Sequence, residues 1–465
     1  MILEEIAAKA RERVEADKEK ISLSEMKRLA FSHKSKLDPF AFENALRDRD
    51  ISFICEVKKA SPSKGVIAED FPYVEIAKEY EEALATCVSV LTEPYYFLGS
   101  DEYLKEIREA INIPIIRKDF TIDEYQIYQA KALGADCVLL ICALLDTETL
   151  KEYLKICDEL SISAIVETHD EEEIKSAIEA GARIIGVNNR NLKNFTVNVA
   201  NSTSLRNLVP EDVIFVAESG IKDANDINEL RKNNVDAVLI GETLMRADDK
   251  RKMLASLKGT MIKICGLKRM EDVEIVNKYK PDFVGFVFAN TKRFVSDELA
   301  VQMKNALDKS IKVVGVFQND TIEQVEKLCG EGAIDVVQIH GDESEEFVSE
   351  VMIRTGKPVI RALKGISRES LEADFKRCVA DYIMVDSVSA RGFGGTGKTF
   401  DLSILPESNK KIFVAGGIDE DNVDDIIDTV FPYCVDVSSS VESDGFKDEE
   451  KIKRIIEKVR THYER

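Results

Sequence analysis

Nowhere in these 465 residues does an apolar stretch approach the roughly 20 residues that a membrane-spanning helix needs. The first segment, Met1 to Lys20, is charged and helix-favouring and lacks the apolar core of a secretory signal. Tryptophan is absent, and the nine cysteines (55, 87, 137, 142, 157, 265, 329, 378, 434) form no CxxC pair. An odd, scattered set of this kind excludes a disulfide framework or a zinc ribbon and fits buried, reduced thiols. Positive charge is also short: 64 Lys plus Arg against 86 Asp plus Glu leaves a net charge of −22. That balance repels a phosphate backbone and argues against nucleic-acid binding. A small phosphorylated substrate stays open, because one pocket of amides and cations can oppose the global sign. The expectation is a cytoplasmic protein with no nucleic-acid or membrane partner.

The chain is otherwise ordinary for a globular protein, 44% hydrophobic and 32% charged. Its length suggests two to four domains, although one α/β barrel alone takes about 250 residues. Acidic residues gather in Asp170–Glu173, Asp342–Glu346 and Asp419–Asp421. Each run opens a helix-like stretch, where carboxylates complement the positive end of the helix dipole. An interaction surface is the competing reading.

Short Val/Ile-rich runs recur, and many break off at an ionisable residue or a glycine. They begin near Ile51, Cys87, Ile113, Cys137, Ala164, Ile184, Ile214 and Ala237, with amphipathic helical stretches such as Tyr73 to Leu84, Asp123 to Leu133 and Glu171 to Ala180 between them. Near-continuous apolar runs mark strands buried on both faces, and their alternation with helices marks a parallel sheet. Gly134 and Gly181 precede new strands and suit left-handed helix caps. After Gly241 and a terminal helix near Asp248 to Leu257, the cadence restarts at Ile262, Phe283, Ile311, Val336, Pro358, Tyr382, Ile412 and Cys434. Eight followed by eight predicts an α/β protein of two consecutive TIM (β/α)8 barrels, residues 1–258 and 259–465. A single open sheet of sixteen strands is the alternative, and sheet size disfavours it. The joint at Lys258-Gly259-Thr260 is too short for a flexible tether, so the barrels are expected to touch.

In such barrels chemistry gathers at the C-terminal ends of the strands. The first run ends in Glu56 and Lys58, which share a face because they are two apart. Alone, that is weak: a barrel-mouth ion pair would look the same. Lys118 ends the third run, Glu167 the fifth, Asn188 with Arg190 the sixth, Ser219-Gly220 the seventh and Gly241 the eighth. Five further strands thus bring acids, cations and amides to the same rim, and glycines after strands seven and eight are where this fold commonly holds a phosphate.

Glu56 to Gly65, Ile116 to Phe120, Val166-Glu167, Gly186 to Leu192, Ala217 to Ile221 and Leu239 to Gly241 together resemble the indole-3-glycerol-phosphate synthase family, over roughly residues 1 to 257. Ser89 to Thr92 and Asp123 to Ile127 extend the resemblance. It implies closure of the indole ring of 1-(2-carboxyphenylamino)-1-deoxyribulose 5-phosphate with loss of CO2 and water. Lys118 would be the general acid, Glu167 the general base and Glu56 their support. Lys58 and Arg190 would hold the anthranilate carboxylate, Asn188 would orient the substrate, and Ser61, Ser219, Gly220 and Gly241 would bind substrate and phosphate. A lysine donates at neutral pH when crowding and burial lower its pKa, but the sequence does not set the direction of any such shift at Lys118. Glu242 stands where a small residue is common in the family, and its carboxylate is expected to point away from the phosphate.

In the second round Cys265 ends the first run, within Lys263 to Leu267, and Asp386 ends the sixth, on the opposite side of a ring of eight. Taken alone, Cys265 is as easily one more buried thiol. Ser387 to Gly397 is too glycine-rich for a packed helix and suits a mobile flap. Phosphate-loop candidates follow at Ala415-Gly-Gly-Ile418 and Asp436 to Ser440. With Lys292-Arg-Phe294, Val337 to Gly341 and Gly394 to Asp401, these stretches resemble the phosphoribosylanthranilate isomerase family over residues 261 to 465.

That resemblance implies an Amadori rearrangement of N-(5-phosphoribosyl)anthranilate. Asp386 would be the general acid and Cys265 the general base, and Arg293 would pair with the anthranilate carboxylate. His340, Gly416, Gly417, Asp436, Ser438 and Ser439 would line the substrate and phosphate sites, with His340 as easily structural. Ser440 stands where many members of the family carry glycine. Gly-Gly-Thr-Gly-Lys-Thr lacks Walker spacing and is not a P-loop. Neither rim has metal-ligand spacing, and no cofactor or metal is expected.

Together the two resemblances imply a bifunctional enzyme of tryptophan synthesis whose chain order reverses reaction order, and a monomer, since fusion would cover the faces on which single barrels dimerise. Another sugar-phosphate isomerisation, such as one of histidine synthesis, would need a second phosphate site; Lys58, Arg190 and Arg293 are single cations suited to a carboxylate. A non-enzymatic docking role is the remaining alternative, against which an acid and a base in each barrel speak.

Overall fold

The computed structural model describes the chain except residues 1, 48–50, 191–195, 199, 365–366, 387, 390–391, 394–404, 407–409 and 465. Two compact units divide it, Met1–Lys258 and Gly259–Arg465. Each holds one closed barrel of eight parallel strands in which chain neighbours pair and the eighth closes on the first.

In the first barrel the strands are β1 (Ser52–Val57), β2 (Cys87–Leu91), β3 (Ile115–Lys118), β4 (Cys137–Ile141), β5 (Ser163–Thr168), β6 (Ile184–Asn188), β7 (Ile214–Glu218) and β8 (Ala237–Ile240). Every residue of β1, β4 and β5 is buried, as strands covered on both faces must be. Side chains alternate between two apolar layers. Ile54, Ile116, Leu139, Ile165 and Val216 fill the barrel, while Cys55, Val138, Leu140, Ala164 and Val166 pack outward on the helices. Phe42 and Leu46, from the short helix Ala41–Leu46, join the inner layer. The same period of two turns Glu56, Lys118, Glu167 and Glu218 inward at the last position available on their strands. Full burial of each Ile or Val is worth roughly 1.5–3 kcal/mol. Several such residues per strand offset the cost of burying a charge at its end.

The second barrel comprises β9 (Met261–Cys265), β10 (Phe283–Val287), β11 (Lys312–Phe317), β12 (Val336–Ile339), β13 (Val359–Lys364), β14 (Tyr382–Asp386), β15 (Lys411–Ala415) and β16 (Cys434–Val437). Phe283, Val314, Ile360, Met384, Phe413 and Cys434 fill it. All sixteen expected strands are present within about three residues of their expected starts. Gly134 and Gly181 adopt positive φ, 91° and 87°, as a left-handed cap requires.

The acidic runs cap their helices unevenly. Asp170 is the N-cap of Glu171–Ala180 and accepts from the Glu173 amide. Ser344 caps Glu345–Thr355 instead, and Asp342 is paired with Lys364 at 2.8 Å. Among the described residues no helix is long and apolar enough to cross a membrane. Most of the glycine-rich stretch after Asp386 lies outside the described residues, so the expected flap does too.

Candidate active sites

One cavity of about 620 Å³ opens at the C-terminal rim of the first barrel. Glu56, Lys58, Ser61, Lys118, Glu167, Asn188, Arg190, Ser219, Gly220 and Gly241 all line it. Residues from six strands and the loops after them thus converge as the sequence predicts. The wall also contains Ile2, Leu3 and Ile6 of the N-terminal helix Ile2–Lys20, together with Phe97 and Phe120. That apolar contribution was not legible, because the helix reads as charged and carries no motif.

At the cavity floor Lys118 Nζ lies 2.5 Å from Glu218 Oε2 and 3.4 Å from Glu167 Oε2. Lys58 Nζ lies 2.5 Å from Glu56 Oε1. Three buried carboxylates thus face two ammonium groups, so the cluster is short of one positive charge. The consequence is visible on Glu218: burial, reinforced by Glu167 and Glu56 and opposed by Lys118, pushes its carboxyl up to about 7. For Lys118 the structure gives the direction that the sequence leaves open. Burial pulls its pKa down, but Glu218, Glu167 and Glu56 outweigh burial and hold it above the ordinary lysine value. The lysine therefore stays charged at neutral pH and donates only when a stronger acceptor arrives, such as a developing alkoxide.

Glu167 shows the mirror effect. Burial raises its pKa, while Lys118, His169 and a hydrogen bond from Asn188 outweigh burial and keep it ionised, as a base must be. Asn188 Oδ1 also accepts from the Arg190 amide at 3.0 Å, which fixes the start of the loop. Glu218 lies within the Ala217–Ile221 stretch, and the sequence alone assigns it no role. Its place at the end of an apolar run, facing Lys118, was the available signal.

Gly186 explains how Glu218 fits. A Cβ at that position would overlap Glu218 Oε1 and reach 3.0 Å from Ile165 Cγ2. A flexible carboxylate can yield, so Gly186→Ala is expected to fold normally while moving Glu218 off Lys118. The expected result is a roughly tenfold to hundredfold lower kcat for the first barrel, with a melting temperature close to that of the parent. Equal kcat in both proteins would show that the Glu218–Lys118 contact is dispensable.

Glu242 departs from expectation. Its carboxylate lines the cavity among cations, 3.1 Å from Arg246 Nε, 3.4 Å from Lys64 Nζ and 3.9 Å from Arg190 Nη2. Attraction to three positive groups outweighs any reason to turn away. A Cβ at Gly241 before it would overlap Glu56 Oε1 and lie 2.7 Å from Lys58 Nζ, so a side chain there would displace both tips.

At the second rim, fully buried Lys263 donates to Asp436 Oδ2 at 2.7 Å and to Gln338 Oε1 at 3.0 Å. Lysine only donates, which fixes the Gln338 amide and makes its nitrogen the donor to His340 Nδ1 at 2.8 Å. His340 Nε2–H is then left to face Asp386 Oδ2 at 3.3 Å. A polar chain from Lys263 thus ends on Asp386, whose Oδ1 is buried with no hydrogen-bond partner among the described residues.

Burial pushes the Cys265 thiol up, Lys263 and Lys447 pull it down, and the net direction is upward. Arg293 is engaged: Nε and Nη2 grip Glu442 at 2.7 and 3.1 Å. Lys447 also pairs with Glu442, at 3.1 Å, and donates to the Ser438 carbonyl. Ser438 Oγ in turn donates to the Cys265 carbonyl at 3.1 Å, tying the loop after β16 to β9. Gly416 and Gly417 take positive φ, 91° and 67°, at the end of β15. Ser439, next to Ser438, is exposed, and Ser440 Oγ is buried with no partner among the described residues. Lys263, Glu442 and Lys447 were missed; Lys263 stands two residues before Cys265 and shares its face, which was a usable signal.

The family model of indole-3-glycerol phosphate synthase matches residues 3–257, and that of N-(5'phosphoribosyl)anthranilate (PRA) isomerase matches residues 262–458. The chain is 60% identical over 263 residues to an indole-3-glycerol phosphate synthase of Ruminiclostridium cellulolyticum, covering 56% of this chain and 100% of that protein. It is 37% identical over 420 residues to the tryptophan biosynthesis protein TrpCF of Haemophilus influenzae, covering 88% of this chain and 87% of that protein. Its counterpart in Buchnera aphidicola subsp. Diuraphis noxia is 36% identical over 424 residues, covering 90% and 91%.

Proposed function

Because the chain belongs to the family of bifunctional tryptophan-biosynthesis proteins, with an N-terminal indole-3-glycerol phosphate synthase domain and a C-terminal phosphoribosylanthranilate isomerase domain, we propose how its two rims divide the work. Residues 259–465 isomerise N-(5-phosphoribosyl)anthranilate, and residues 1–258 cyclise and decarboxylate the product to indole-3-glycerol phosphate. The enzyme acts on these phosphorylated anthranilates as a cytoplasmic monomer.

In the isomerase barrel Asp386 protonates the ribose ring oxygen and opens the ring. Cys265 then removes the C2′ proton, and the enol relaxes to the aminoketose. Arg293, oriented through Glu442, offers its remaining N–H groups to the anthranilate carboxylate. His340 and Asp436 flank the reacting sugar, and Gly416, Gly417, Ser438 and Ser439 supply phosphate donors.

In the synthase barrel Lys58 and Arg190 take the anthranilate carboxylate, while Asn188 and Ser61 orient the substrate. Ser219, Gly220 and Gly241 take the phosphate. Lys118 protonates the ketone oxygen as the carbon–carbon bond closes, CO2 leaves, and the new hydroxyl departs as water with a second proton. Glu167, supported by Glu56, removes the methylene proton that completes the indole. One observation carries this reading: Lys118 Nζ sits at the cavity floor between Glu218 and the ionised base Glu167.

Supplying phosphoribosylanthranilate to the full chain should give indoleglycerol-phosphate fluorescence. Residues 1–258 and 259–465 expressed separately should each turn over only their own substrate. A folded full-length protein that yields no indole product from either substrate would sink the proposal.

A further inference from the structure

Charge balance sets a demand that Lys118 and Glu167 alone do not meet. The substrate carboxylate leaves as neutral CO2 and the hydroxyl leaves as water, so each cyclisation takes up one proton. Lys118 gives two and Glu167 recovers one. Glu167 can return its proton to Lys118 across 3.4 Å. The other has to come from elsewhere while the substrate fills the cavity.

His169 stands behind the base. It follows β5, two residues beyond Glu167, with Nε2 3.5 Å from Glu167 Oε1. On its other edge Nδ1 lies 3.0 Å from Glu173 Oε2, and the same oxygen accepts the His169 amide at 2.7 Å. A carboxylate gripping both groups makes Nδ1 the donor, and so directs the second ring nitrogen at Glu167. Nε2 is buried and has no hydrogen bond among the described residues. The imidazole therefore lies between two carboxylates, one in the cavity wall and one at the first turn of the helix Glu171–Ala180. The side chain keeps 17% of its surface exposed, at atoms other than the buried Nε2.

We propose that His169, held by Glu173, is the proton reserve of the cyclising site: its imidazolium passes the Nε2 proton to Glu167, and Glu167 passes it to Lys118. In the first transfer the Nε2–H bond breaks and a Glu167 O–H bond forms. In the second that O–H bond breaks and an Nζ–H bond forms. Neutral His169 then regains a proton from solvent between turnovers. The groups facing His169 support the charged form. Burial lowers its pKa, but Glu173, Glu167 and Glu218 outweigh burial and raise it above the ordinary histidine value. His169 is thus a positioning and supply residue, since it reaches the substrate only through Glu167.

This inference rests on Glu167 being the base, so the two are tested together in the full chain. His169→Gln keeps a hydrogen-bonding group near Glu167 but has no proton to give. It should lower the kcat of cyclisation about tenfold with KM unchanged and increase the solvent deuterium isotope effect. Imidazole buffer should restore rate to His169→Gln more than an equally concentrated buffer of the same pH that carries no imidazole. Glu173→Gln, which only loosens the grip on Nδ1, should lose less and shift the alkaline limb of kcat to lower pH. If Glu167→Gln remains active, the base assignment itself fails. If Glu167→Gln is inactive while His169→Gln keeps the parental kcat and isotope effect, the reserve is refuted and the base assignment stands. Loss of rate in His169→Gln that imidazole does not relieve, with an unchanged isotope effect, would also refute it, because that pattern marks a purely structural histidine.

Discussion

Lys118→Ala is expected to slow cyclisation by at least about a thousandfold while leaving isomerisation at the parental rate. The size of the loss follows from the double duty of the ammonium group. It donates at ring closure and again at dehydration, and it is the only cation within hydrogen-bond reach of both Glu167 and Glu218 among the described residues. Removing it strands Glu218 in a buried site where its carboxyl already sits near 7, so that carboxyl will take a proton rather than stay charged. Lys118→Arg separates the two effects. A guanidinium keeps the charge and can pair both carboxylates, but it does not release a proton near neutral pH. Both variants should therefore be nearly inactive in cyclisation. The arginine variant should melt closer to the parent, because it leaves no uncompensated carboxylate. If Lys118→Arg keeps more than a tenth of parental kcat, the lysine acts through charge alone and the acid must be sought elsewhere.

The strands were legible in the sequence because burial on both faces leaves a local mark. A run such as Ile214–Ala217 has no polar position, and its end is announced by Glu218, the first residue that needs water or a partner. The rim residues were legible for the same reason, since period-two alternation and strand ends place Glu56, Lys118 and Glu167 on one face.

What escaped were properties set by neighbours distant in the chain. The direction of the Lys118 shift depends on Glu218, 100 residues away, and the grip of Glu442 on Arg293 spans 149 residues. A sequence window carries neither distance. Glu242 shows the limit from the other side: Arg246 is four residues along its own helix, but Lys64 and Arg190, which also set its direction, are brought to it only by the closed barrel.

Cys265→Ala should abolish isomerisation, by about a thousandfold or more, and leave cyclisation of supplied aminoketose intact. The thiolate is the species that removes a carbon-bound proton, and burial holds the thiol pKa above its ordinary value. Only a small fraction is thiolate at neutral pH, so the parental kcat/KM should climb between about pH 7 and 9 as that fraction grows. The sign is fixed by the shift: a base whose pKa lies above the working range gains its active form as pH rises. Lys263 and Lys447 are the groups that moderate the shift, both pulling the thiol down. Lys447→Met should therefore push the rise to still higher pH without removing the nucleus of the reaction, whereas Cys265→Ala should flatten the residual rate. Cys265→Ser is expected to resemble alanine, because a hydroxyl is far harder to ionise than a thiol. An alanine variant that isomerises within tenfold of the parent would move the base to another group on the rim. Asp436 would then be the first candidate, since burial raises its carboxyl and its buried Oδ1 has no hydrogen-bond partner among the described residues.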